Sequence, residues 1–191
     1  MSTTTRTAPI GISTAEYVKR SLAVTIPVTH TFHTAGRHWL PQAAFGGPER
    51  FFKEAPIYGV HHISFDLPGQ KGLHQGISMA AILTARTRGL DYLQRLVEGG
   101  ATPALQPGAG MTTMHLAINW PGYESARYDT ESLQARTITH AELAWVICQN
   151  FRAFLPTHPG LVPFEKLVLV GLHHITCGRW QADVAIEGCR F

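Results

Sequence analysis

The sequence predicts an α+β domain: a two-layer, mostly antiparallel sheet of about five strands, with two main helices packed on one face, in the order β-β-α-β-α-β-β. Three observations carry this. Residues 22–33 alternate with period two, Leu22, Val24, Ile26, Val28, His30 and Phe32 against Ala23, Thr25, Pro27, Thr29, Thr31 and His33, as a half-buried strand does. Residues 137–155 open with Thr139 followed by Glu142, the pattern of a capping box, and continue with Leu143, Ile147, Phe151 and Phe154 at helical spacing. The run LVLVGL inside 165–176 is apolar on both faces, which suits a central strand. A helix with so wide an apolar stripe needs a broad cover, and a sheet is the cover that this chain can supply.

Taken in order, residues 1–13 (MSTTTRTAPIGIS) read as a flexible tail, and 14–191 as a single α+β domain. The tail has no apolar h-region of the secretory kind. A short helical turn at 14–20 precedes the first strand, in which Pro27 predicts an edge or a bulge because it cannot donate to a ladder. Residues 34–56 read as an irregular connection with a short helix at 48–54. The second strand, 57–67, ends at Pro68-Gly69. Residues 77–97 read as a helix striped by Met79, Leu83, Leu90, Leu93 and Val97, kinked or split at Gly89 and stopped by Gly99-Gly100. The third strand, 111–120, puts Met114, Leu116, Ile118 and Trp120 on one face and ends in the turn at Pro121-Gly122. Residues 123–136 read as a polar loop or irregular strand. Pro156, Pro159 and Pro163 break the chain after the long helix. A final hairpin pairs 165–176 with Trp180–Glu187, where Trp180, Ala182, Val184 and Ile186 alternate with polar neighbours.

Composition bounds the function. Charged residues make up 15% of the chain and hydrophobic ones 45%, against roughly 25% charged in ordinary soluble domains. A surface so poor in charge points to self-association or to a protein partner. The net charge of +3 is scattered, its densest group being Arg86, Arg88 and Arg95, and no basic run interleaves with aromatics, so no nucleic acid is expected. Three cysteines without a CxxC pair fit neither a disulfide framework nor a zinc finger. No stretch is long and apolar enough to span a bilayer. The expected setting is intracellular and cytoplasmic.

Eleven histidines are the feature most suggestive of chemistry. HTFH at 30–33 with His38 has the look of a ligand cluster, but residues three apart on a strand point to opposite faces. The same rule separates His61 from His62 and His173 from His174. Face assignment gives a better set: His33, His62 and His115 fall on the polar faces of three strands, with Tyr58, Ser64, Asp66, Thr113, Asn119, Gln181 and Asp183. His62, His115 and Asp183 are therefore the catalytic candidates, and His33, His62 and His115 the candidates for a divalent metal. The plainer alternative is a solvated polar face. GVHHIS (59–64) echoes GLHHIT (171–176) without matching flanks or a fixed period. DLPGQKG (66–72) has the shape of an aspartate–glycine switch segment, but no phosphate-binding GxxxxGK[ST] loop accompanies it. In INWPGY (118–123), Trp120 and Tyr123 form either an aromatic-clamped turn or a contact surface.

INWPGY, followed by TITHAELAWVICQNFRAF and then by LVGLHHI with WQADV, resembles an uncharacterised family predicted from mushroom-forming (basidiomycete) fungi. The resemblance covers the C-terminal part only. It implies a eukaryotic intracellular protein and carries over no functional residue. The first expectation for function is a non-enzymatic interaction or self-assembly module, homo-oligomeric, with an exposed edge strand as the pairing surface. The alternative is a histidine-dependent enzyme, with or without a divalent metal, whose site lies on the polar face of the sheet. A nucleic-acid binder ranks third.

Overall fold

The computed structural model describes residues 36–40, 62–105, 113–118, 120, 128–129, 133–134, 136–158, 162–176 and 179–188. The expected tail at 1–13, the strand at 22–33 with His33, the short helices at 14–20 and 48–54, Tyr58 and Tyr123 lie outside them. The elements are β1 (Arg37–Leu40), β2 (His62–Ser64), β3 (Ile77–Ser78), α1 (Met79–Thr87), α2 (Leu90–Leu96), β4 (Thr113–Ile118), β5 (Tyr128–Asp129), β6 (Leu133–Gln134), α3 (His140–Phe154), β7 (Leu167–Thr176) and β8 (Arg179–Glu187). The fold is α+β, as the sequence predicts.

The sheet runs β2-β7-β8-β4-β5. β7 and β8 form its long antiparallel centre. One edge of β7 carries both β2 and β3. The far edge of β8 is shared between β4, parallel to it at Arg179–Gln181, and β1, antiparallel at Val184–Glu187. The parallel β4–β8 pair is the exception in a mostly antiparallel sheet. The echo between GVHHIS and GLHHIT has a simple outcome: β2 and β7 are hydrogen-bonded neighbours, with His62 opposite His173 and Ser64 opposite Gly171.

α3 forms where its capping box predicts. Thr139 Oγ1 accepts from the Glu142 N–H (3.3 Å) and the Thr139 N–H donates to Glu142 Oε2 (3.0 Å), so two groups at the helix start satisfy each other. Its stripe of Leu143, Ala144, Ile147, Cys148, Phe151 and Phe154 is buried. The predicted helix at 77–97 is split in two. Gly89, at φ +120°, separates α1 from α2, a backbone state that costs glycine little. Residues 77–78 pair with β7 as β3 before the helix begins, and Ser78 caps α1.

The helices pack on the face that presents Ile63, Leu116, Ile118, Leu169, Leu172, Trp180, Val184 and Ile186, and all join one core. A void of about 10 Å³ remains between α3 and the sheet, lined by Leu116, Ile147, Phe151 and Ala182 among others. It has room for one water at most. No helix among the described residues is long and apolar enough to cross a membrane.

The opposite face is polar and curls inward. From β1 the Arg37 side chain pairs with Glu187 on β8 and donates to the Gln75 carbonyl, which precedes β3 on the far side of β7. Beneath that span lies a small separate cluster of Val168, Val170 and Ala185, all buried. A Cβ at Gly76 would come within 2.7 Å of Val168 Cγ1 and 3.0 Å of Val170 Cγ2, so the backbone just before β3 packs directly on these valines.

Candidate functional site

A β-bulge builds the site. Between Leu169 and Gly171 the register of β7 against β8 slips by one residue. Strict alternation from Leu167 and Leu169 would send Gly171 and His173 to the helix side. The bulge reverses this: Leu172 enters the core and His173 joins the polar face. On that face β8 contributes Asp183 and β2 contributes His62.

His173 Nδ1 lies 3.1 Å from Asp183 Oδ1, and His62 Nε2 lies 3.7 Å from Asp183 Oδ2. The first distance is a hydrogen bond; the second is an ion-pair separation. Asp183 and His62 stand on the two strands that flank β7, and their side chains meet above it. Gly171 makes the meeting possible. It pairs with Asp183 on one side and Ser64 on the other, and a Cβ there would sit 2.7 Å from His62 Nε2 and 3.2 Å from Asp183 Oδ2. Burial pushes the Asp183 carboxyl up, but the hydrogen bonds and charges of His173 and His62 outweigh it and hold the group well below the usual carboxylate range. Asp183 is thus a fixed anion between two imidazoles. The His173 side chain is 17% exposed and that of His62 33%, so His62 is the one turned to solvent.

A compact loop closes one side. Residues 66–76 leave and rejoin the same edge of β7, the Phe65 N–H bonding to the Val170 carbonyl and Ile77 pairing with Leu169. Asp66 organises it. Its carboxylate is buried and accepts from the Gly72 N–H (2.9 Å) and the Gln75 N–H (3.2 Å). That is the role of the DLPGQKG string: the aspartate serves the loop's own backbone. The loop places His74 against His62, ring centroids 5.5 Å apart.

Of the expected catalytic residues, His62 and Asp183 meet. His115 does not join them. It lies on the same face but opposite Arg179, on β4, with β7 and β8 between it and His62. Among the described residues no three His, Cys, Asp or Glu side chains are arranged to hold a metal ion, and the register separates His62 from His115, two of the three residues expected to hold one. Trp120 is corrected from contact surface to core: it is 1% exposed and packs on Phe151 and Phe154, with centroids 6.4 and 6.2 Å away. Period two continues past Ile118, so Trp120 follows Met114 and Leu116 inward. Sequence reasoning missed His173, Gly171 and His74. The close echo around His62 and Gly171-Leu172-His173 was the one available signal, because it marks two strands that lie side by side.

Comparison with known protein families, with curated proteins and with solved structures found no match.

Proposed function

We propose that this chain is an acid–base enzyme in which His62 takes up and returns a proton, with Asp183 as the group that orients it. The observation that supports the reading is the Asp183 carboxylate held between His173 and His62 above the bare backbone of Gly171. A carboxylate beside one imidazole nitrogen favours the proton there and leaves the other nitrogen as the acceptor. His173 fixes the carboxylate, the carboxylate faces His62 Nε2, and Nδ1 of His62 is left as the nitrogen that works on a water or hydroxyl of the substrate. No metal is needed for this chemistry.

The test does not require the substrate. Diethyl pyrocarbonate acylates imidazole nitrogens, and site-resolved mass spectrometry reads each histidine separately. His62 should react faster than the exposed His38, and Asp183→Asn should slow it roughly tenfold or more. A His62 that reacts no faster than His38, or that ignores Asp183→Asn, refutes the reading.

Self-association is a second reading, and one observation favours it. Tyr92 is 43% exposed on α2. Arg88 Nη1 donates to its hydroxyl (2.9 Å), and the Arg88 and Arg95 guanidinium groups lie 5.1 and 6.0 Å from its ring centroid. Arg86 stacks over Trp145 nearby in sequence, at 5.3 Å. Tyrosine, tryptophan and arginine are the side chains that anchor interfaces, and a second copy of this chain is the proposed occupant. Light scattering across micromolar concentrations decides: a dimer that Tyr92→Ala dissociates supports it, and a monomer throughout refutes it.

A further inference from the structure

We infer that His74 is a positioning residue of this site: its ring holds the His62 imidazole against Asp183. The inference rests on the acid–base reading of His62 and extends it to the loop. Three observations carry it.

The first is contact. His62 has Asp183 on one side, 3.7 Å away, and the His74 ring on another, with centroids 5.5 Å apart and planes tilted by 57°. A half-exposed imidazole on a three-residue strand would otherwise be free to rotate towards solvent.

The second is the backbone. Four residues of the 66–76 loop have positive φ. Three are glycine: Gly69 at +78°, Gly72 at +78° and Gly76 at +74°. The fourth is His74 at +51°, the one non-glycine residue with positive φ among the described residues. At Gly69 and Gly72, where a Cβ would meet nothing within 4 Å, the left-handed conformation alone calls for glycine. At residue 74 the loop keeps an imidazole in that strained state, as happens where a side chain is wanted at a fixed place.

The third is support. The loop has supports of its own besides His74. Its form comes from the buried Asp66 carboxylate bonded to Gly72 and Gln75, the Glu98 carboxylate accepting from the Gly69 N–H (3.0 Å), the Gln70 and Leu73 turns, and the Arg37 bond to the Gln75 carbonyl. These bonds fix the peptide units on both sides of His74 and so hold its ring against His62.

The experiment uses the full chain with His74→Gly, His74→Asn, Asp183→Asn and, as a loop control, Leu73→Ser at an exposed neighbour. Both His74 variants accept the left-handed backbone and remove the ring. Their thermal midpoints should equal or exceed that of the parent. The His62 Cε1–Hε1 NMR resonance should move in both and stay put in Leu73→Ser. His62 acylation should fall roughly tenfold, the usual effect of losing an orienting contact. An unmoved His62 resonance together with an unchanged His62 rate in His74→Gly overturns the inference. If Asp183→Asn slows His62 and His74→Gly does not, His74 has no positioning role while the acid–base reading stands. If His74→Gly and His74→Asn slow His62 but Asp183→Asn leaves its reactivity unchanged, the positioning role holds and the acid–base reading fails.

Discussion

Gly171→Ala separates the site from the fold. The strand there has no positive φ, so alanine fits the backbone. The new Cβ would sit 2.7 Å from His62 Nε2, and ordinary contact begins near 3.4 Å, so the imidazole must withdraw by roughly 0.7 Å. The His62–Asp183 separation, already 3.7 Å, then opens beyond ion-pair range. What yields is the end of a part-exposed side chain and not the strand. Alanine gains about 0.5–1 kcal/mol over glycine in a strand through the unfolded chain. A part-exposed ion pair loses about 1 kcal/mol or less. The two nearly cancel, so the thermal midpoint should stay within about 2–4 °C of the parent. Site-resolved acylation of His62 should nevertheless fall roughly tenfold. A loss of more than about 3 kcal/mol would show that the backbone has to move, and an unchanged His62 rate would show that Gly171 does not hold the site open. Gly76→Ala is the contrast: its Cβ meets the Leu169 carbonyl oxygen at 2.7 Å with φ at +74°, and no flexible side-chain end is there to absorb it.

Three further outcomes follow from the packing and the charges. Asp183 has a depressed folded pKa, so its contribution is present above the ordinary carboxylate range and is lost as pH falls through it; Asp183→Asn should flatten the acid limb of a stability–pH curve below about pH 4. His140 loses basicity chiefly through burial, with Lys71 adding to the effect and the Thr102 hydrogen bond opposing it, so stability should already decline from about pH 6.5 downward, a step that His140→Gln removes. The Cys148 thiol is pushed up by complete burial, so its contribution is full below the ordinary thiol range and lost as pH rises above about 8.5; Cys148→Ala should remove that alkaline step in a thermal melt.

The elements legible in the sequence were those whose local chemistry agrees with their packing. α3 has a cap, a period and a single buried face, and all three say the same thing. Gly89 marks the break between α1 and α2 for the same reason. β8 alternates without interruption, so Asp183 could be placed on the polar face by counting. His62 followed likewise from Ile63 pointing inward. The rest depends on long-range pairing. The one-residue slip at Val170 is invisible to periodicity because LVLVGL is apolar at every position, and it decides which of His173 and His174 faces Asp183. β1 and β3 are four and two residues long, too short to carry a pattern. His74 sits in a loop whose shape comes from Asp66, and a carboxylate turned inward to bind N–H groups reads in sequence as a polar residue on a surface turn.

The arrangement around β8 has a bearing on how the chain acquires its fold. β8 pairs with β7, β4 and β1, and every one of these partners precedes it in the sequence; the Arg37–Glu187 contact closes a span of 150 residues. During synthesis from the N-terminus, β4 can pair with β5 and β6, but its other edge and β1 wait for β8, the last strand of the sheet in the sequence. Loop closures of that length are slow to form, and unpaired strands are sticky meanwhile. The step that commits the chain to its native sheet therefore waits until β8 has been made. The same step brings Asp183 to His62, so the His62–Asp183–His173 cluster and the sheet are completed together.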